Sequence, residues 1–221
     1  MNYLTHKLLN SEELEILRKN LEKESLEWED GKLTAGKHAA QEKNNLQLRR
    51  DSDLSIKFSG LITKKILSNE LIKSFALPKK IHGTIFSKST SGMKYGRHID
   101  NAYMSSGRAD LSFTVFLNCT KKYEGGALSI QGLNSEEKFK LDAGEIIIYP
   151  STYLHSVEKV IDGERLVFIG WIESYVKSIE EREYLFDLDA AARSLLAKYG
   201  RSEEVDLIYK SYSNFLRRLG N

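Results

Sequence analysis

The chain has 221 residues, 41% of them hydrophobic and 29% charged, with a formal net charge of +2. That length suits one domain with an appendage or two small domains, and the near balance of charge removes any global electrostatic case for nucleic acid. The single cysteine, Cys119, excludes an intrachain disulfide and fits a reducing compartment. With no hydrophobic signal core at the N-terminus and no apolar run long enough to span a bilayer, the expectation is a cytoplasmic protein with no membrane partner.

In chain order, Ser11 offers an N-cap, with Glu12 and Glu13 at the positive helix end. Leu14, Leu17 and Leu21 form one apolar stripe, so a helix is expected to about Lys23. Trp28 reads as loop, and His38 as a loop or surface histidine. Leu54, Phe58, Leu61, Ile62 and Ile66 recur at helical spacing, which predicts an amphipathic helix packed on a sheet and extended through Leu71–Phe75 until Pro78.

From Ile81 the pattern changes to short strands. Ile81–Phe86 is one, carrying a structural rather than metal-bound His82, and Ser89–Gly92 is a turn. Lys94–Asp100, Leu111–Leu117, Ala127–Gln131, Lys138–Leu141, Glu145–Tyr149, Tyr153–Val160 and Arg165–Trp171 follow, with Asn118–Gly126 as a polar loop. Strands at this spacing predict a mostly β, α+β fold with a jelly-roll core, the double-stranded β-helix, flanked by N-terminal helices. After Trp171 the chain turns helical. Ser178-Ile179-Glu180-Glu181 is a capping pattern, Gly200 a stop and Ser202 a second start. Tyr184, Leu185, Leu188, Ala191, Ala192, Leu195, Leu196 and Tyr199 are expected on one face of the first helix. Val205, Ile208, Tyr209, Tyr212, Phe215, Leu216 and Leu219 are expected on the inner side of the second. The predicted division is residues 1–177 as the jelly-roll domain with its N-terminal helices, and 178–221 as a C-terminal helical hairpin. That hairpin has three candidate uses: a lid, a homodimer contact or a scaffold.

Two stretches carry the chemistry. His98 and Asp100 are two apart, so on an extended chain both face one side. With His155 they make a 2-His-1-carboxylate set, which holds Fe(II) on one face of an octahedron and leaves positions open. A lone surface His98 is the plain alternative. Arg165 lies ten residues beyond His155, and a turn at Ile161-Asp162-Gly163-Glu164 would let a hairpin bring it back beside that histidine. Arg165 shares its strand face with Val167, Ile169 and Trp171, in an apolar interior. A buried guanidinium needs an anion, either a dicarboxylate ligand or a nearby Glu or Asp.

The chain also resembles the PKHD-type hydroxylases, relatives of the prolyl 4-hydroxylases, over nearly its whole length. The matching stretches are Leu33-Thr34-Ala35-Gly36, Lys43-Asn44-Asn45-Leu46-Gln47-Leu48, Gly96-Arg97-His98-Ile99-Asp100-Asn101-Ala102 and Arg108-Ala109-Asp110-Leu111-Ser112. They continue through Tyr123-Glu124-Gly125-Gly126, Ala143-Gly144, Tyr149-Pro150-Ser151, Leu154-His155, Arg165, Trp171-Ile172 and Leu185-Phe186-Asp187-Leu188-Asp189. The resemblance implies an Fe(II)- and 2-oxoglutarate-dependent dioxygenase that uses O2 to hydroxylate an unidentified substrate, whether a prolyl or lysyl residue, a peptide or a small metabolite. It implies His98, Asp100 and His155 as metal ligands and catalytic centre, Arg165 as the group binding 2-oxoglutarate, and L-ascorbate as auxiliary reductant. Such hydroxylases commonly carry a tyrosine nine residues before the first ligand; here that position is Ser89. Arg165 would therefore need another helper, with Ser112 and Tyr149 as candidates. Two rival readings share the fold. A dioxygenase of nucleic-acid bases would carry a second arginine at position 171, where this chain has Trp171. A non-catalytic jelly-roll binding or sensing module would form no succinate.

Overall fold

A computed structural model describes residues 3–23, 26–34, 39–132 and 134–221. His38, Ala35 and Gly36 lie outside the described residues. The N-terminal part runs β1 (Leu4–Lys7), α1 (Ser11–Leu21), β2 (Trp28–Asp30), β3 (Lys43–Asn44), β4 (Leu46–Leu48), α2 (Asp53–Ser68) and α3 (Glu70–Ala76). Next come β5 (Pro78–Thr90), β6 (Lys94–His98), β7 (Tyr103–Met104), β8 (Gly107–Arg108), β9 (Leu111–Phe116), β10 (Tyr123–Gly125) and β11 (Leu128–Gln131). The chain ends with β12 (Glu136–Phe139), β13 (Glu145–Pro150), β14 (His155–Val157), β15 (Val160–Ser174), α4 (Ile179–Tyr199) and α5 (Glu203–Leu219).

Two antiparallel sheets form the core. The larger has the order β1-β13-β9-β15-β5-β4-β2, with β10 added beside β15; the smaller has the order β12-β11-β14-β6-β3. Strand alternation assigns the two faces of the larger sheet. Leu166, Phe168 and Ile172 of β15, Ile146 and Ile148 of β13, and Leu111, Phe113 and Val115 of β9 point outward. They pack under Leu14 and Leu17 of α1, Phe58, Ile62 and Ile66 of α2, and Ile72 of α3. The intervening residues Val167, Ile147, Tyr149 and Phe116 point inward, against Leu128, Ile130 and Phe139 of the smaller sheet. This is the double-stranded β-helix, with a helical layer closing its outer face.

Several local expectations are corrected. Asn10, not Ser11, caps α1: its side chain accepts from Glu13 N–H while the Glu13 carboxylate accepts from Asn10 N–H, the reciprocal pair that satisfies two otherwise free donors. Trp28 lies on a strand paired with Leu48. Asn69 breaks the second helix and caps a new one, its side chain accepting from Ile72 N–H. Ser89 lies inside β5, paired with Arg165, rather than in a turn. The polar stretch 118–126 contains β10.

The stretch Ile161–Glu164 is not a hairpin turn. It is extended within β15, with Asp162 and Gly163 pairing with Glu124 and Tyr123 of β10. His155 and Arg165 therefore belong to different sheets, and the chain crosses between the layers after Val157. Gly163 permits the close pairing. It adopts φ +78°, and a Cβ there would come within 2.1 Å of Lys122 O.

The C-terminal helices form a hairpin. Leu185 of α4 is buried with Leu77 and Val176, and Tyr212, Leu216 and Leu219 of α5 pack against them. Phe215, expected on the inner side of its helix, is exposed, as are Tyr184, Leu196 and Tyr199 of the stripe on α4. No helix among the described residues is long and apolar enough to cross a membrane.

Candidate functional site

His98 is the last residue of β6 and His155 the first of β14, and the two are direct partners in the antiparallel ladder. That register brings the imidazoles together, with ring centroids 4.3 Å apart. Asp100 follows two residues after His98, with Oδ2 3.7 Å from His155 Nε2. One ligand atom from each of His98, Asp100 and His155 lies within 4.8 Å of the others.

Each ring is held by its own strand. His98 Nδ1 lies 2.8 Å from Gly96 O, and His155 Nδ1 lies 3.0 Å from Tyr153 O. A carbonyl only accepts, so each Nδ1 carries the proton and each Nε2 keeps its lone pair for a metal. Tyr95 stacks on His98 at 3.7 Å between centroids. Burial, the neighbouring His155 and, more weakly, Lys43 push the His98 imidazole down to about 4, against the opposing pull of Gly96 O and Asp100. His98 is therefore a neutral donor at physiological pH. Ser112 Oγ donates to Asp100 Oδ2 at 2.5 Å and lies 2.7 Å from Ser151 Oγ, which fixes the carboxylate. The donor set of two imidazoles and one anchored carboxylate fits a ferrous ion.

Arg165 is only 3% exposed. It points inward with Val167, Ile169 and Trp171, as strand alternation predicts, and all four line one cavity of about 740 Å³ shared with His98, Asp100 and His155. Among the described residues no carboxylate pairs with this guanidinium, whose Nε has no hydrogen-bond partner. It lies 5.6 Å over the Phe116 ring. Burial lowers its pKa from the ordinary arginine value, offset in part by Tyr123 and Tyr149. The Tyr123 hydroxyl is also buried without a partner. An acid entering the cavity beside Arg165 would supply the partner its guanidinium lacks.

Ser89 faces Arg165 across the β5–β15 ladder and lines the cavity. Ser112 lines the cavity too, with its hydroxyl donated to Asp100. Tyr149 lines the cavity at 5.3 Å from the His155 ring, and burial followed by Asp100 keeps its phenol protonated.

Two further groups escaped sequence reasoning. Tyr123 was hidden in a stretch that reads as polar loop. Lys43, quoted only within a motif, is 5% exposed. Its ammonium donates to Thr34 Oγ1 at 3.1 Å and lies 5.0 Å over the Tyr95 ring. Burial, then the Arg50 charge, brings it down to about 8, while Asp100 and Asp30 oppose the shift. The available signal was alternation: Lys43, Asn45 and Gln47 are three polar residues at period two, and all are buried. His82 is structural, as expected, lying 2.9 Å from both Ser106 Oγ and Arg108 O.

Residues 84–173, which contain both histidines, Asp100 and Arg165, match the model of the 2OG-Fe(II) oxygenase superfamily. The class is thus an oxygenase dependent on Fe(II) and 2-oxoglutarate. Among solved structures, a Pseudomonas putida prolyl-4-hydroxylase aligns with TM-score 0.55 at 17% identity, covering 78% of this chain and 92% of that one. A Trichoplax adhaerens prolyl hydroxylase, in complex with a hypoxia inducible factor oxygen degradation domain peptide fragment, aligns with TM-score 0.55 at 14% identity, covering 83% and 86%. At such identities the likeness is one of fold.

Residues 180–220 match the PKHD-type hydroxylase C-terminal domain. A PKHD-type hydroxylase of Prochlorococcus marinus strain MIT 9215 is 73% identical over 220 residues, covering 100% of both chains. Another, from strain MIT 9211, is 54% identical over 221 residues at the same coverage. The chain belongs to the PKHD-type hydroxylases, and it is a dioxygenase.

Proposed function

We propose that His98, Asp100 and His155 hold the ferrous ion and that Arg165 takes the distal carboxylate of 2-oxoglutarate. The observation that carries this reading is the pairing, in one cavity, of a convergent His-Asp-His cluster with a buried arginine that has no carboxylate partner. When bound, iron and 2-oxoglutarate supply the oxidation: the oxoacid is decarboxylated to succinate and carbon dioxide while dioxygen hydroxylates the substrate.

The chain's residues orient and enclose this chemistry. Gly96 and Tyr153 carbonyls hold the imidazole tautomers, and Ser112 holds Asp100. Arg165, with the Tyr123 hydroxyl in the part the sequence left open at Ser89, positions the oxoacid. Val167, Ile169 and Trp171 keep water from the inner wall.

L-ascorbate serves as auxiliary reductant in this reading. The protein works in the cytoplasm, with no nucleic-acid or membrane partner, and the substrate is a prolyl or lysyl residue, a peptide or a small metabolite. Residues 1–177 form the catalytic domain and 178–221 an appended hairpin, whose exposed Tyr184 and Tyr199 offer a homodimer contact. The direct test is His155→Ala, assayed for bound iron and oxygen-dependent succinate. Both should be lost; unchanged turnover would overturn the metal assignment.

A further inference from the structure

We infer that Lys43 binds a carboxylate of the primary substrate, with Arg50 assisting at the cavity opening, so that this hydroxylase acts on a carboxylate-bearing compound. This deepens the proposed function and rests on Arg165 being reserved for 2-oxoglutarate.

The charges lining the cavity support it. Among the described residues that line the cavity, Asp100 is the only carboxylate, and the cations are Arg165, Lys43 and Arg50. A ferrous ion brings two positive charges, and Asp100 with a doubly ionised oxoacid brings three negative ones. Arg165 then brings that group to neutrality. Lys43 remains as a buried cation with no ion-pair partner among the described residues, Asp30 and Asp100 acting on it only from beyond ion-pair distance.

Position separates this cation from the oxoacid's. Arg165 stands on β15 of the larger sheet, among Phe116, Tyr123 and Tyr149. Lys43 stands on β3, the edge of the smaller sheet, paired with Tyr95 of β6. The metal cluster lies at the end of β6, next to that edge. Lys43 has three N–H donors, and its one hydrogen bond among the described residues goes to Thr34 Oγ1, whose hydroxyl in turn donates to Gln47 Oε1 at 2.6 Å. The ammonium is thus held in place with donors to spare. Arg50 is exposed at the cavity opening and makes no ion pair among the described residues, although burial of part of its side chain lowers its pKa from the ordinary arginine value. The uncompensated buried charge is therefore a single one, which matches a carboxylate rather than a doubly charged phosphate.

The test uses zinc-substituted enzyme saturated with 2-oxoglutarate and labelled with 15N-lysine. The Lys43 Nζ resonance is identified by its absence in Lys43→Met. Acetate should move it saturably, with a Kd in the millimolar range, and acetamide should not move it. Arg50→Met should weaken acetate severalfold while the resonance itself remains. No movement with ~100 mM acetate, equal movement with acetamide, or tighter binding of methyl phosphate than of acetate would each overturn the inference. Failure of the underlying reading is a separate result: 2-oxoglutarate affinity would then be unchanged in Arg165→Met.

Discussion

Arg108, on the short β7–β8 ribbon, and Arg165, on β15 of the larger sheet, are both largely buried, yet their surroundings differ completely. Arg108 grips Asp110 through two hydrogen bonds, at 2.7 and 2.8 Å, and donates to Ser174 O at 2.8 Å. Asp110 in turn accepts from Ser174 N–H, so the pair ties the start of β9 to the end of β15. Arg182, also buried, donates to the carbonyls of Val176 and Lys177. Arg165 has none of these partners. A folded chain places a compensated cation where it needs structure, and an uncompensated one where a ligand will supply the charge.

Substitution should break this comparison most visibly. Arg108→Met leaves Asp110 buried and unpaired, so urea unfolding should show a loss of about 3 kcal/mol. Arg165→Met removes a charge that has no partner, so stability should hold or rise by about 1 kcal/mol. The same variant should weaken 2-oxoglutarate by roughly 100-fold, read as its apparent KM in succinate formation, because a charge-assisted contact of nearly 3 kcal/mol is lost. Equal destabilisation by the two variants would show that Arg165 is structural.

Ser112→Ala should have a smaller effect. It frees Asp100 from its anchor and should weaken metal affinity by about 10–100-fold, measured by competition with a chelator, with little change in fold. Unaltered affinity would mean that Asp100 needs no anchor.

A further effect concerns pH and is seen only without metal. His98 resists protonation until about pH 4, whereas an unfolded histidine takes a proton near 6.5. Between those values the unfolded chain binds more protons, so metal-free protein should lose stability as pH falls through that window, by ~2 kcal/mol in all. Urea midpoints between pH 7 and 4 measure it, and His98→Gln should flatten this part of the slope. An identical slope in that variant would place the protonation elsewhere.

Much of the site was legible in the sequence because strand arithmetic is local. His98 and Asp100 needed only a period of two, and the inward face of Arg165 followed from Val167, Ile169 and Trp171. What could not be read was long-range register. The 161–164 stretch looks like a turn until β10 is known to lie beside it, so the crossing that puts His155 and Arg165 on opposite sheets was invisible. Tyr123 gains its place beside Arg165 only through that same pairing. Lys43 was missed for a different reason: a lysine ordinarily reads as solvated surface, and only the fold shows it closed in by Thr34 and Tyr95. Asn10 outcompeted Ser11 as a cap because Glu13 lies three residues after it and closes the reciprocal bond.

The most direct measurement is an anaerobic titration of Fe(II)-loaded protein with 2-oxoglutarate, followed by the visible charge-transfer band of the chelate. The predicted result is a saturable band in the wild type, absent in His155→Ala and requiring about 100-fold more oxoacid in Arg165→Met. A wild type without the band, or a His155→Ala protein that keeps it, would contradict the assignment of this cavity as the iron and 2-oxoglutarate site.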